Sequence, residues 1–440
     1  MENINVYLLG LGCAKNMVDS ELMSGVLRRN GYRIVSNEWD ADVIIINTCG
    51  FIEDAKKESI SSILRLAQCK EEGRCQLLIA TGCMPEKWQD EMAEAMPEID
   101  AMLGSREYTR IAELIAEHLE APADAKAPQN RYLWRDLSTP PYSAYLKISE
   151  GCNNRCTYCL IPQLRGDLVS RPQEDIIAEA EQLLAGGVLE LNVIAQDVTA
   201  YGMDIYGHSA LPELLEKLAQ MDFKWIRLLY AYPTRVDEKL LTVMAAHKNI
   251  CAYIDIPIQY GEDTILKAMN RHGNTAEIEA AVANIRRYLP DAVLRTTIMT
   301  GFPGETDETF AKTQDFLERM RFDWLGVFCY SREEDTPAFD MADQVPAEVA
   351  EQRRDALMEQ AADVTETSQQ RFVGTVMEVL AEEAQEQDGE VLYVGRNRYQ
   401  APEVDGVVYF TAERNLLPGE MVQVKITACD TYDLYGQLAE

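Results

Sequence analysis

The chain has 440 residues, 47% of them hydrophobic, with 73 acidic residues against 41 basic ones and a net charge of −32. That length exceeds what one hydrophobic core supports, so several domains are expected. The charge disfavours phosphate-rich partners and favours basic ones. No apolar stretch is long enough to span a bilayer. The first residues, Ile4-Asn5-Val6-Tyr7-Leu8-Leu9, read as a strand rather than as a secretory signal, so a cytoplasmic location without membrane contact is expected. Eleven cysteines, an odd number, then point to metal ligation or catalysis rather than to a disulfide framework.

Taken in order, apolar runs at 6–9, 43–47 and 77–80 alternate with amphipathic stretches at 19–29 and 54–68. This β-α-β-α-β pattern predicts a parallel sheet domain over 1–119. An Ala- and Pro-rich segment, 120–141, reads as a linker. The section 142–371 carries strand patterns at 144–149, 191–195, 226–230, 252–256, 293–299 and 326–330, with helical patterns such as 175–185, 212–220 and 308–320 between them. Six strand–helix units predict a partial (β/α)6 barrel, whose chemistry belongs at the C-terminal ends of the strands. A polar, acidic helix leads out of it. Short β-type runs at 373–379, 391–395, 406–411 and 421–427 then predict a small OB-like β-barrel over 372–440. The fold class is α/β in three parts.

Cys152, Cys156 and Cys159 follow the first barrel strand with C-x3-C-x2-C spacing. Zinc sites ordinarily use C-x2-C pairs and four ligands, and no second pair lies nearby. A redox C-x-x-C at Cys156 and Cys159 leaves Cys152 unexplained. Three thiolates on one loop fit three irons of a 4Fe-4S cluster, with the fourth iron open to a substrate. A second trio is spread along the first domain. Each of its three strands runs into a cysteine: Cys13, Cys49 and Cys83, at separations of 36 and 34 residues. A parallel sheet returns each strand to the same edge, so the three should meet there. Buried core cysteines are the plain alternative, but that reading does not predict three equivalent positions. Two open clusters suit a task with two activations.

The loop with Tyr158 before its last cysteine resembles the signature of the radical S-adenosylmethionine superfamily. The resemblance implies that the open iron chelates S-adenosylmethionine, and that reductive cleavage yields a 5′-deoxyadenosyl radical that abstracts hydrogen. The order of parts is closer still to the methylthiotransferase family, which ends in a TRAM barrel. The motifs that carry this are Gly12-Cys13-Ala14-Lys15-Asn16, Asn47-Thr48-Cys49-Gly50-Phe51-Ile52, Thr81-Gly82-Cys83, Glu150-Gly151-Cys152-Asn153, and Arg165-Gly166-Asp167-Leu168-Val169-Ser170-Arg171-Pro172. The resemblance implies two 4Fe-4S clusters, one S-adenosylmethionine as methyl source and a second as radical source.

Two branches of that family differ in substrate. One modifies adenosine in transfer RNA; the other, RimO-type, modifies the β-carbon of an aspartate in small-subunit ribosomal protein S-twelve. The runs Gly12 to Ser20, Ala195-Gln196-Asp197-Val198-Thr199-Ala200-Tyr201-Gly202 and Leu229-Tyr230-Ala231-Tyr232-Pro233-Thr234-Arg235 resemble the second. Charge agrees: residues 372–440 hold 13 acidic and 4 basic side chains, a net of −9. An RNA clamp should be basic, whereas an acidic barrel suits a basic ribosomal protein, free or in the small subunit. A merely solvated barrel face is the alternative. An electron-donor reductase and a sulfur donor are further expected partners, and no direct transfer RNA substrate is expected.

Fainter signals complete the reading. Gly301-Phe302-Pro303-Gly304-Glu305-Thr306 lacks the Gly-Lys-Ser/Thr ending of a nucleotide triphosphate loop. By the resemblance, Gly301 approaches the adenosine of the cofactor, and Tyr158, Gln196 and Asp197 join it in the cofactor pocket. Gln196 and Asp197 are also placed to cap the following segment. Cys69, Cys75, Cys251, Cys329 and Cys429 have no partner spacing and read as core or incidental, and the four histidines do not cluster. No nucleophile–base pair is evident, so no catalytic side chain is assigned.

Overall fold

Runs of aliphatic residues separated by helices build a five-stranded parallel sheet at the start of the computed structural model, which describes residues 4–119, 121, 123, 130–387 and 390–439. The elements are β1 (Asn5–Gly10), α1 (Ala14–Arg29), β2 (Arg33–Ile34), β3 (Val43–Thr48), α2 (Glu53–Glu71), β4 (Leu77–Gly82), α3 (Cys83–Ala95), β5 (Ala101–Gly104) and α4 (Ile111–His118). The strand order is β2-β1-β3-β4-β5. β3 and β4 are buried along their whole length, which is why they read as unbroken apolar runs. The two edge strands are too short for a sequence pattern to announce them.

The second section supplies β6 (Ser143–Lys147), β7 (Ser149–Glu150), α5 (Ile161–Arg165), β8 (Val169–Ser170), α6 (Gln173–Ala185), β9 (Glu190–Ile194), α7 (Leu211–Ala219), β10 (Trp225–Leu228), α8 (Glu238–Ala246), β11 (Ile250–Asp255), α9 (Asp263–Ala268), α10 (Thr275–Tyr288), β12 (Val293–Thr300), α11 (Asp307–Met320), β13 (Trp324–Cys329) and α12 (Ala347–Gln370). Its six parallel strands run β13-β12-β11-β10-β9-β6 and stay open between β13 and β6, the expected partial barrel. Alternation sorts the side chains. Ala144, Leu146, Leu191, Val193, Ile226 and Leu228 pack outward under the helices. Tyr145, Ile194, Trp225, Cys251, Tyr253, Val293 and Trp324 point inward, into a core shared with the first domain. β7 and β8 pair as an antiparallel ribbon at the base of the cysteine loop.

The segment expected as a linker lies partly outside the described residues. Its described end is clamped in place: Arg135 bridges Glu21 of α1 (2.6 Å) and Glu179 of α6 (2.8 Å). A Cβ on Gly25 would sit 1.6 Å from the Trp134 carbonyl oxygen, so only glycine admits this crossing of α1.

The third section closes a barrel in the order β14-β15-β16-β18-β17, from β14 (Val376–Gln387), β15 (Glu390–Asn397), β16 (Val408–Thr411), β17 (Met421–Cys429) and β18 (Leu434–Leu438). β18 was absent from the sequence expectation; its parallel pairing with β16 makes the closure. This barrel docks at the N-terminal ends of the larger barrel's strands. Arg396 reaches Glu190, the first residue of β9, at 2.7 Å, and Arg227 of β10 reaches it at 3.1 Å. Burial opposes the Glu190 charge, but Arg396, Arg227 and the Ser143 hydroxyl outweigh it and hold its pKa down at about 2, from an ordinary 4.5. A depressed carboxylate contributes stability above its unfolded pKa and loses it as pH falls through the folded one. The contribution is therefore complete above about pH 5, of order 3 kcal/mol, and fades between 4.5 and 2. Glu190→Gln is expected to destabilise the protein at pH 7 in urea unfolding, with a deficit that shrinks by more than half at pH 3.

Candidate active site

The first trio sits where adjacent strands end. Cys13 caps α1 just beyond β1, Cys49 follows β3, and Cys83 opens α3 directly after β4. The ends are level, with Gly10 opposite Asn47 and Thr48 opposite Gly82. Two glycines permit the approach. Gly12 has φ 86°, and a Cβ there would lie 2.9 Å from the Cys49 sulfur; Gly82 has φ 96°, and its Cβ would lie 2.3 Å from Asn47 Oδ1. Asn16 ties the loops together by donating to the carbonyls of Leu11 (2.9 Å) and Thr48 (3.0 Å), while the Cys83 thiol faces its Oδ1 at 3.8 Å. Ser59 accepts from the Cys49 amide (3.1 Å) and donates to its carbonyl (3.0 Å).

The second trio lies on the loop between β7 and α5. Gly151 (φ 70°) turns the chain against Asp167, whose carbonyl oxygen a Cβ would meet at 2.0 Å. Thr157 anchors the loop to α9 through Ala268 (2.9 Å) and to Met269 (3.1 Å). Amides of Asn154 and Ile161 point at the sulfurs of Cys152 and Cys159 (both 3.5 Å), and Arg271 points at Cys156 (3.8 Å). Such donors favour thiolates.

Tertiary packing brings the two trios together. Leu160, next to Cys159, packs with Leu164 against Cys83 and Trp88. A buried ionic cluster holds the same interface. Asp19 of α1 pairs with Lys147, at the end of β6, and with Arg165 of α5. Glu150 pairs with Lys147 (2.8 Å) and Arg165 (3.4 Å), and Arg165 also donates to Asn16. Lys147 and Arg165 outweigh burial at Glu150 and hold its pKa at about 2.

The thiols differ in character. Burial pushes Cys83 up to about 11 and Cys159 up to about 12. Cys13 goes the other way. Burial opposes its thiolate, but Lys15, Arg165 and the amides of Asn16 and Lys15 more than offset that and lower its pKa. Among the described residues no three His, Cys, Asp or Glu side chains close on a single-ion site. Each trio supplies three thiols and, among the described residues, no fourth protein ligand, which fits an open iron–sulfur cluster rather than a four-ligand structural zinc site.

The other expected residues divide. Tyr158 lies in the site, with its ring edge-on to Phe302 at 6.5 Å. Gln196 donates to Glu150 (2.7 Å) and leaves its own Oε1 buried without a partner. Asp197 differs from the expectation. One oxygen caps the turn at Thr199, and the other binds Asn154 (2.9 Å) and Arg235, so its acceptor positions are filled within the protein. Gly301 also differs: its amide donates to Glu305, and a Cβ would meet Ala350 of α12 at 2.4 Å, so it serves close packing. Cys69, Cys75, Cys251, Cys329 and Cys429 are free thiols away from either trio. Asp19, Lys147, Arg165, Arg235 and Arg271 carry much of the site yet had no assigned role. The available signal was a charge in an inward strand position (Lys147), but one sequence does not say what faces it.

Two clustered thiol trios at the mouth of a partial (β/α)6 barrel, with a sheet domain above and a small β-barrel below, define a radical S-adenosylmethionine protein of methylthiotransferase type. Three family models match in chain order: Uncharacterized protein family UPF0004 over residues 5–104, the Radical SAM superfamily over 146–317 and the TRAM domain over 373–439. The chain is 46% identical to ribosomal protein uS12 methylthiotransferase RimO of Clostridioides difficile, with 99% of each chain covered. It is 46% identical to that of Geobacter sulfurreducens, with 98% of each covered. It belongs to the uS12 methylthiotransferase family. Among solved structures, the radical S-adenosylmethionine methyltransferase TsrM from Kitasatospora setae, with cobalamin and a [4Fe-4S] cluster bound, shares the fold at TM-score 0.56 and 15% identity, covering 76% of this chain and 74% of that one.

Removing one anion from the interface cluster leaves Lys147 and Arg165 with excess buried charge. Asp19→Asn is expected to cost about 3–5 kcal/mol in urea unfolding.

Proposed function

We propose that the protein places a methylthio group on the β-carbon of an aspartate of ribosomal protein uS12. Full-length identity to relatives bearing that name supports the reading. The structural observation that carries it is the packing of Cys83 on Leu160, which sets the two trios on either side of one interface. Cys13, Cys49 and Cys83 would hold one 4Fe-4S cluster, and Cys152, Cys156 and Cys159 the other. Bound there with S-adenosylmethionine, these groups supply hydrogen-atom abstraction, sulfur and a methyl group.

The protein's own residues orient and enclose. Gln196 Oε1 offers an acceptor to the cofactor, and Tyr158 forms an aromatic wall with Phe302. Arg271 sets positive charge beside Cys156, and Arg165 sets it between Cys13 and Cys83. The acidic C-terminal barrel attracts a basic ribosomal protein and speeds encounter more than it tightens binding. A cytoplasmic reductase and a sulfur donor complete the system. Among the described residues no helix is long and apolar enough to cross a membrane.

Anaerobic reconstitution is expected to load about eight irons per chain. Replacing Cys13, Cys49 and Cys83 together by Ala should leave about four, with cleavage of S-adenosylmethionine retained; full iron in that variant would remove the second cluster. Mass spectrometry of a deletion strain should find uS12 without its methylthio group and transfer RNA unaltered. Loss from transfer RNA alone would overturn the substrate.

A further inference from the structure

Six cations stand inside the larger barrel or at its mouth, where the first domain meets it. Five are committed to protein partners. Lys147 and Arg165 pair with Asp19 and Glu150. Arg235 pairs with Asp197. Arg271 donates to the Pro257 carbonyl at 2.6 Å. Arg295 lies between Asp255 (3.3 Å) and Asp405 (3.4 Å). The sixth is Lys15, in the first turn of α1 and two residues beyond Cys13. Among the described residues its ammonium has neither an ion pair nor a hydrogen bond to protein; it lies 3.8 Å from the centre of the Tyr230 ring.

Tyr230 is held in an unusual way for that task. Its φ is 66°, a left-handed conformation that a bulky aromatic rarely adopts without a surrounding reason. Two hydrogen bonds fix it: its amide donates to Asp255 Oδ2 (3.0 Å), and its carbonyl accepts from the Val198 amide (3.1 Å). The ring is thus set beneath the ammonium at the exit of β10. Asp255, which accepts from the Tyr230 amide, is already paired with Arg295. Cys13 and Glu150 act on this ammonium through space, but no protein oxygen pairs with it, and the ring covers only one of its sides. Its N–H donors face the space between the trios, where an anionic group of a ligand can accept from them.

We propose that Lys15 recognises the side-chain carboxylate of the substrate aspartate and so holds the adjacent β-carbon between the two cysteine trios. This rests on the aspartate substrate argued above. The carboxylate is the only charge on that side chain and is one bond from the reacting carbon. A compact ammonium on an aromatic face gives one anchoring point there. Lys15 is then the residue that separates aspartate from its neutral isostere, asparagine.

The test uses reconstituted enzyme with recombinant uS12 carrying either Asp or Asn at the modified position. Wild type should prefer Asp by about 100-fold in kcat/KM, the scale expected when a buried charged group would otherwise lose its partner. Lys15→Gln should bring that ratio to within about threefold, and Lys15→Arg should restore part of it. Iron content and absorption spectrum of both variants should match wild type. Two results would overturn the proposal: a Lys15→Gln enzyme that keeps the full Asp preference, or one that loses iron, which would assign Lys15 to the cluster beside Cys13. Wild type inactive on the Asp form would instead refute the substrate reading, and the proposal with it.

Discussion

The site depends on a four-membered buried ionic cluster in which Asp19 and Glu150 offset Lys147 and Arg165. Each member comes from a piece that would otherwise be free to move: α1 of the first domain, the end of β6, the ribbon before the cysteine loop, and α5 after it. Lys147 and Arg165 are almost fully buried, and neither could stay charged there without both anions. An apolar contact of similar area would hold the domains together but would tolerate sliding. Paired charges fix register, because a shift that separates them leaves a bare ion in a medium of low polarity. Arg165 carries that register to the chemistry, since it also donates to Asn16, which binds the loops of the first trio.

The C-terminal barrel obeys a similar logic at the opposite end. Glu190 between Arg227 and Arg396, with Arg295 between Asp255 and Asp405, closes the floor of the larger barrel through charges that are paired rather than excluded. The two ends of the barrel thereby have separate jobs. Its N-terminal end is sealed by a domain whose remaining surface is acidic. Its C-terminal end is left for ligands, as the strand direction of (β/α) barrels favours. A partner docked on the acidic barrel is therefore offset from the site it presents a side chain to, and reaching that site is a matter of the partner's length and shape.

Much of the architecture was legible from pattern alone. The strands β3, β4, β6 and β9 through β13 declared themselves because their apolar residues are buried in full runs or in alternation. The edge strands β2 and β5 and the closing strand β18 did not, because a short strand with one exposed side leaves too few periodic residues to read. The six cysteines were legible because their spacing is chemical information carried by the chain itself. At Asp197, where cofactor contact and capping were both open, and at Gly301 the sequence did not decide the role, for a common reason. Position at a strand end is visible in sequence, but whether a carboxylate or an amide there is already taken, by Thr199 and Asn154 or by Glu305, depends on residues that only folding brings near.

The sequence by itself determined the fold class, the two cysteine trios and the family, because periodicity and cysteine spacing are local properties. Tertiary structure decided which charges are partnered. Lys147 and Lys15 are both single lysines in motifs with no distinguishing local signal. Among the described residues the fold pairs the first with two carboxylates and sets the second on the face of Tyr230 without an ion pair. Electrostatic partnership acts through space: Lys147 and Asp19 lie 128 residues apart, and no reading along the chain contains the distance between them.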